Sequence, residues 1–194
     1  GGFTEPTVPS EWREKSPGQL MDVARELSAA GESKAADRSL LAQYLGYRLL
    51  SDPSQARSLS LGTWSDLTGR LDQDMTAEQK ASWRAGLRSA FAGTQEAVCG
   101  LAEKDFLSLT YALRSAEDEA IASLWFWRID GTCLTDAATI RGQGVTKWRQ
   151  YVQSSVGGMS EADCRKWHAA LTAAFIATPE AMAALSDEDF TGLT

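Results

Sequence analysis

Apolar residues recur along this chain with a period close to that of an α-helix, and the recurrence comes in blocks. Leu20, Val23, Ala24 and Leu27 share one face, and Gly31 ends their run. Leu40, Leu41, Tyr44 and Leu45 form a second stripe, and Leu61, Trp64, Thr68 and Leu71 a third. The same three stripes return as Phe106, Leu109 and Leu113, then Ile121, Leu124, Trp125 and Ile129 up to Asp130-Gly131, then Val145, Trp148 and Val152 before Gly157-Gly158. Short helical turns are expected near 53–58 and 136–141.

The helix after each third stripe is the best signposted. Thr76 with Gln79, and Ser160 with Asp163, place a capping hydroxyl and a side chain three residues on that can reach back. Behind these caps Trp83, Leu87, Ala90 and Phe91 form one stripe, matched by Trp167, Leu171, Ala174 and Phe175. We expect Trp64, Trp83, Leu87, Phe91, Trp148, Trp167, Leu171 and Phe175 to be core. "TQEA" and "TPEA" then open a short helix with a Thr cap; Pro179 suits its first position, and Glu96 or Glu180 favours its positive end. Asp105 and Asp189 fit the first turn of the following helix for the same reason, so these recurring acids read as helix starters before they read as catalysts.

The blocks are one pattern written twice. Residues 64–110 align without a gap on residues 148–194, a shift of 84, and fifteen of those 47 positions are identical, where ordinary residue frequencies would give about three. A period of this kind predicts an all-α chain of two tandem helical repeats, solenoid-like, each covering the open apolar face of its neighbour. The expected boundaries are a leader or linker over 1–16, a repeat domain over 17–194 with repeat 1 at 17–100 and repeat 2 at 101–184, and a partial third repeat at 185–194. Since Phe190 and Leu193 keep the ordinary repeat pattern, a further repeat or a partner is expected to cover them.

Composition changes this picture little. The 43% hydrophobic and 23% charged residues are those of a globular chain,. A net charge of −7 without a basic stripe argues against nucleic acid, which calls for cations to neutralise phosphates, and against an anionic membrane surface. The richest apolar window, Ile121 to Ile129, is far too short to span a bilayer, and no signal peptide is visible. Compartment and oligomeric state are left open.

Candidate chemistry is sparse. Cys99, Cys133 and Cys164 are widely spaced, without the pairs of a zinc site or an even-numbered disulfide framework,. Cys164 and the single histidine, His168, stand at i and i+4 on one helix, as two metal ligands would. Their repeat-1 equivalents are Lys80 and Arg84, which cannot ligate a metal, so a small thiol and a boundary imidazole on a structural helix is the simpler reading. A Cys/His pair running side by side on one helix is also a poor nucleophile and base. Asp52/Arg57 and Asp136/Arg141 recur in both repeats, as a local ion pair or cap would. No phosphate-binding glycine loop, GxSxG or HExxH is present. No catalytic residue, metal or cofactor is assigned.

The repeats differ most where "SLWFWRI" replaces "SLLAQYL". Phe126 and Trp127 leave the shared apolar arc, so they are either packed in a helix buried on all sides or anchors for a partner. The sequence therefore points to a non-catalytic protein-interaction or scaffolding module that takes a protein or peptide, with Phe126 and Trp127 as its contacts. Two alternatives are an enzyme, hydrolase-like, with a site in an inter-repeat groove, and a small-ligand or metal sensor using Cys164 and His168.

Overall fold

A computed structural model describes residues 2–113, 121, 123–124, 127–128, 130, 137–155 and 160–193. These residues are mainly helical, with no strand among them. The chain divides into two compact units, one of residues 1–93 with 101–116, the other of 94–100 with 117–194.

The first unit contains α1 (Ser10–Arg13), α2 (Pro17–Ala29), α3 (Ala35–Leu45), α4 (Pro53–Ala56), α5 (Leu61–Leu71), α6 (Ala77–Phe91) and α8 (Glu103–Leu113). Four of these helices start at side-chain caps. Ser16 and Gln19 form a reciprocal capping box with Pro17 in the first turn, and Thr76 and Gln79 form another. Asp52 and Ser60 cap α4 and α5 through their side-chain oxygens. The apolar stripes meet in a core where Leu20, Leu41, Trp64, Trp83 and Leu109 are fully buried, and α8 lies along α5.

Two features of this unit are not legible as stripes. The stretch before Ser16 packs on the unit: Trp12 is buried, and the Phe3 ring meets Trp83 edge-on at 6.4 Å. The other is Arg38, which is buried among matched acceptors. Its Nε donates to Asp74 Oδ2 at 2.6 Å, and one terminal nitrogen donates to the carbonyls of Leu27 and Gly31 at 2.7 and 2.8 Å. Leu27 lies in the last turn of α2 and Gly31 just beyond it, so the guanidinium satisfies carbonyls at that helix end as a cap would,. Beyond α3 the chain continues as a π-helical turn over Gly46–Leu50. A Cβ at Gly46 would lie 2.5 Å from the Phe3 ring, and one at Gly86 would lie 2.9 Å from Leu50 Cβ, so both sites need glycine for close approach.

The second unit contains α7 (Gln95–Cys99), α9 (Ala137–Gln143), α10 (Val145–Ser155), α11 (Glu161–Phe175), α12 (Pro179–Ala183) and α13 (Asp187–Leu193) among its described residues. Ser160 caps α11 through the amide of Asp163, and Thr178 caps α12 with Pro179 following. The recurring acids Glu96, Asp105, Glu180 and Asp189 all fall in first turns, where the helix dipole favours negative charge.

Contacts inside the two units match at a spacing of 84 residues. Trp64 Nε1 donates to the Ala56 carbonyl at 2.8 Å, and Trp148 Nε1 to the Ile140 carbonyl at 2.7 Å. Arg57 reaches the Ala90 carbonyl at 2.9 Å, and Arg141 the Ala174 carbonyl at 3.3 Å. Asp52 therefore caps α4 through the Ser54 amide, while Arg57 closes the far end of α6, so the recurring pair serves two helix termini. A local ion pair between them is not what forms. Asp136 lies outside the described residues. The units are out of phase with the repeat boundaries expected at 100 and 184, because α8 packs with the helices that precede it.

Candidate functional site

Each unit is built around a pair of tryptophans in edge-to-face contact, Trp64–Trp83 at 5.4 Å and 80°, and Trp148–Trp167 at 5.9 Å and 89°. Such pairs add about 0.5–1.5 kcal/mol to the burial of the rings themselves. A buried indole also needs an acceptor for its N–H. Trp64 and Trp148 both find a backbone carbonyl. Their partners differ.

Trp83 Nε1 donates to Thr68 Oγ1 at 2.9 Å, and that hydroxyl donates onward to the Trp64 carbonyl at 2.7 Å. The residue equivalent to Thr68 is Val152, whose side chain has no polar atom. Trp167 Nε1, on a residue only 3% exposed, is accordingly the one buried side-chain nitrogen or oxygen without a partner among the described residues. Leaving such a donor unmatched costs about 1–3 kcal/mol.

The orphaned indole lies in the wall of a cavity of about 380 Å³ whose apolar lining includes Val152, Trp167, Leu171, Ile176 and Leu193. The same helix face carries different side chains in the first unit. There Lys80, Arg84 and Arg88 lie at successive i, i+4 positions of α6 and are half-buried; Arg84 also bonds to Asp72 at 3.4 Å. On α11 the equivalents are Cys164, His168 and Thr172, three shorter side chains that all line the cavity. Leu87, Leu109 and Ala92 are buried in the first unit, whereas Leu171, Leu193 and Ile176 are only half-buried in the second.

Cys164 and His168 thus belong to one cavity. The thiol is free and half-buried, and the imidazole is exposed, with Nδ1 3.4 Å from Thr172 Oγ1. No group of three or more His, Cys, Asp or Glu side chains able to hold a metal occurs among the described residues. Cys99 donates its thiol to the Trp127 carbonyl at 3.2 Å, and Cys133 lies outside the described residues. Among the described residues no acidic side chain lines the cavity, whereas Arg149 does. The Arg149 side chain runs tightly past Gly192, where a Cβ would stand 2.7 Å from Arg149 Cδ.

Of the two aromatic candidates, Phe126 lies outside the described residues. Trp127 is half-buried, and its carbonyl also accepts from Gln95 Nε2 at 3.1 Å. Gln95 bonds Asp130 as well, at 3.2 Å, and Lys166 pairs with the same carboxylate. Burial works to raise the Asp130 carboxyl, but the hydrogen bonds from Lys166 and Gln95 and the Lys166 charge outweigh it and hold the group below its ordinary range,.

The core expectation needs two adjustments. Trp64, Trp83, Leu87, Trp148, Trp167 and Phe175 are buried. Phe91, at the last residue of α6, and Leu171, facing the cavity, are half-buried. The cavity itself has a signal in the sequence: the loss of long cations at positions 80, 84 and 88 on moving to 164, 168 and 172. Read two at a time, those changes only weaken a metal site; read as three on one helical face, they mark a surface left uncovered. No protein-family model, curated protein or solved structure matches this chain.

Proposed function

We propose that this chain is a non-catalytic helical-repeat binding module, in which two copies of an ~84-residue unit share one scaffold and the second copy carries the recognition site. The paired tryptophans, the Arg57 and Arg141 contacts and the Thr-capped helices at a constant spacing support the tandem-repeat reading. One observation carries the functional half: the helix face that bears Lys80, Arg84 and Arg88 in one unit lines an open, mainly apolar cavity in the other. A concave, mainly apolar site of about 380 Å³ is of the size that small molecules occupy,. Among its described lining residues Cys164 and His168 run side by side on one helix, a poor arrangement for a nucleophile and its base,.

A scaffolding role toward a protein partner is a second reading, favoured by Leu107 and Tyr111. They stand at i and i+4 on α8 and are 46% and 43% exposed, the spacing of anchors on a helix that docks into a groove.

The experiment is a ligand screen on the full chain read by the indole ¹H–¹⁵N resonances, with Trp83 as internal reference. A ligand of the proposed site moves the Trp167 signal, leaves Trp83 in place and raises the melting temperature by mass action. Perturbation of Trp83 instead, or turnover of the added compound, would refute the proposal.

A further inference from the structure

We infer that the cavity beside Trp167 is the seat of an amphipathic helix from a partner protein, whose first turn carries an acidic residue, a small residue and a leucine in succession. This rests on the binding reading above and names the chemistry of the partner.

The first unit shows what the repeat surface holds. There α8 lies along α5 and also meets α6, and it buries Phe106, Leu109, Ala112 and Leu113. In the second unit α13 lies along α10 in the corresponding place, with Phe190 and Leu193 at the registers of Phe106 and Leu109. It supplies no counterpart of Ala112 and Leu113.

The cavity opens at that point. Leu193 forms part of its wall together with Leu171 and Ile176. Their equivalents Leu109, Leu87 and Ala92 are buried, whereas all three are half-buried here. The uncovered surface is therefore aliphatic and continuous with the contact that α13 already makes on α10. Such a surface suits the face of another helix, which fills a groove with anchors at helical spacing. The anchors should follow Ala112 and Leu113: a small residue, then a leucine.

Charge sets the residue before them. In the first unit it is Tyr111, which shares a surface recess with Ser65 and lies against Gly69, where an added Cβ would stand 3.6 Å from the tyrosine hydroxyl. The residues at those registers in the second unit are Arg149 and Gln153. Both line the cavity, and no Asp or Glu does among the described residues. A tyrosine would compete with Gln153 for space. A carboxylate accepts from the guanidinium and the side-chain amide, and in the first turn of the partner helix it also suits the helix dipole.

The test uses the full chain and a peptide of residues 110–123 carrying Tyr111→Glu, in which Thr110 can cap the helix and the acid, Ala112 and Leu113 form its first turn,. Titration followed by the indole ¹H–¹⁵N resonances should move Trp167 saturably and leave Trp83 in place. Adding Leu113→Asp to the peptide should weaken binding at least about tenfold, as expected for an anchor that is buried on docking. Arg149→Glu in the chain should weaken the Tyr111→Glu peptide by about threefold to fivefold, an exposed ion pair being a modest contribution, and a Tyr111→Lys peptide should regain affinity for that variant. A chain extended after Thr194 by Glu-Ala-Leu-Arg-Ser fills the seat from within and should no longer respond to the peptide.

The failures are separable. If the peptide leaves Trp167 unmoved while a small compound from the screen shifts it, the helix inference falls and the binding reading stands. If the Leu113→Asp peptide binds as tightly as its parent, the extended chain still responds, or Trp83 moves instead, the helix is not seated in this cavity and the inference is overturned. If neither the peptides nor the screened compounds move Trp167, the inference and the binding reading fall together.

Discussion

Thr68→Val converts the tryptophan pair of the first unit into that of the second, and its cost can be worked out from the geometry. The substitution is close to isosteric and keeps the β-branch, so it opens no cavity and changes helix propensity little. What it removes is the acceptor 2.9 Å from Trp83 Nε1, on a residue 1% exposed. Water cannot replace that acceptor without the core opening. The expected loss is about 1–3 kcal/mol, the penalty for a buried donor left unmatched, reduced slightly by the methyl that replaces the hydroxyl. Urea denaturation of wild type, Thr68→Val, Trp83→Phe and the double variant forms a cycle that isolates the pair. In the Trp83→Phe background the hydroxyl keeps its bond to the Trp64 carbonyl, so Thr68→Val should there cost much less. The reasoning is wrong if Thr68→Val is neutral within about 0.5 kcal/mol, or costs the same with and without the Trp83 indole.

Further outcomes follow from features already described. Trp83→Ala should destabilise the chain by about 3–5 kcal/mol, as aromatic truncations in a core do; a variant that melts like wild type removes Trp83 from the core. Asp130→Asn should lower stability at neutral pH, because the folded carboxylate is held below its ordinary value. For a depressed acid the stabilisation is present above the unfolded pKa of about 3.9 and is lost as pH falls through the folded value. The gap between wild type and Asp130→Asn should therefore close in acid denaturation below about pH 4, and a gap that persists there would contradict the Lys166 assignment. Chain purified without chelator should contain no stoichiometric zinc; zinc that disappears on Cys164→Ser would overturn the ligand reading of the cavity in favour of a metal.

Helix starts were legible because they are local: Thr76 with Gln79 and Thr178 with Pro179 act within a single turn, and the structure forms both caps. The tryptophan stripes were legible because a buried face repeats every turn. Arg38 was not, since its partners stand 7, 11 and 36 residues away and its buried position on α3 resembles any boundary cation in the sequence. Proline-rich composition marks residues 3–18 as irregular without saying what they pack on, so the burial of Trp12 had no sequence signal. The site was half visible. The exchange of Thr68 for Val152 is a single conservative-looking difference among the many non-identical positions, and only the indole opposite it gives it meaning.

The order in which the chain visits its two compact units has a consequence for synthesis and proteolysis. The chain builds most of the first unit up to residue 93, contributes 94–100 to the second, returns with 101–116, and only then completes the second. As the chain leaves the ribosome, the first unit cannot close over α5 until α8 has emerged, so a nascent chain halted near residue 100 presents the uncovered flank of α5 to chaperones. A protease cutting anywhere between 93 and 101 severs α8 from the bulk of the first unit, and a cut after α7 severs α7 from the bulk of the second as well. No single cut there yields two self-sufficient fragments. Limited proteolysis there should therefore destabilise the chain rather than divide it into two folded pieces.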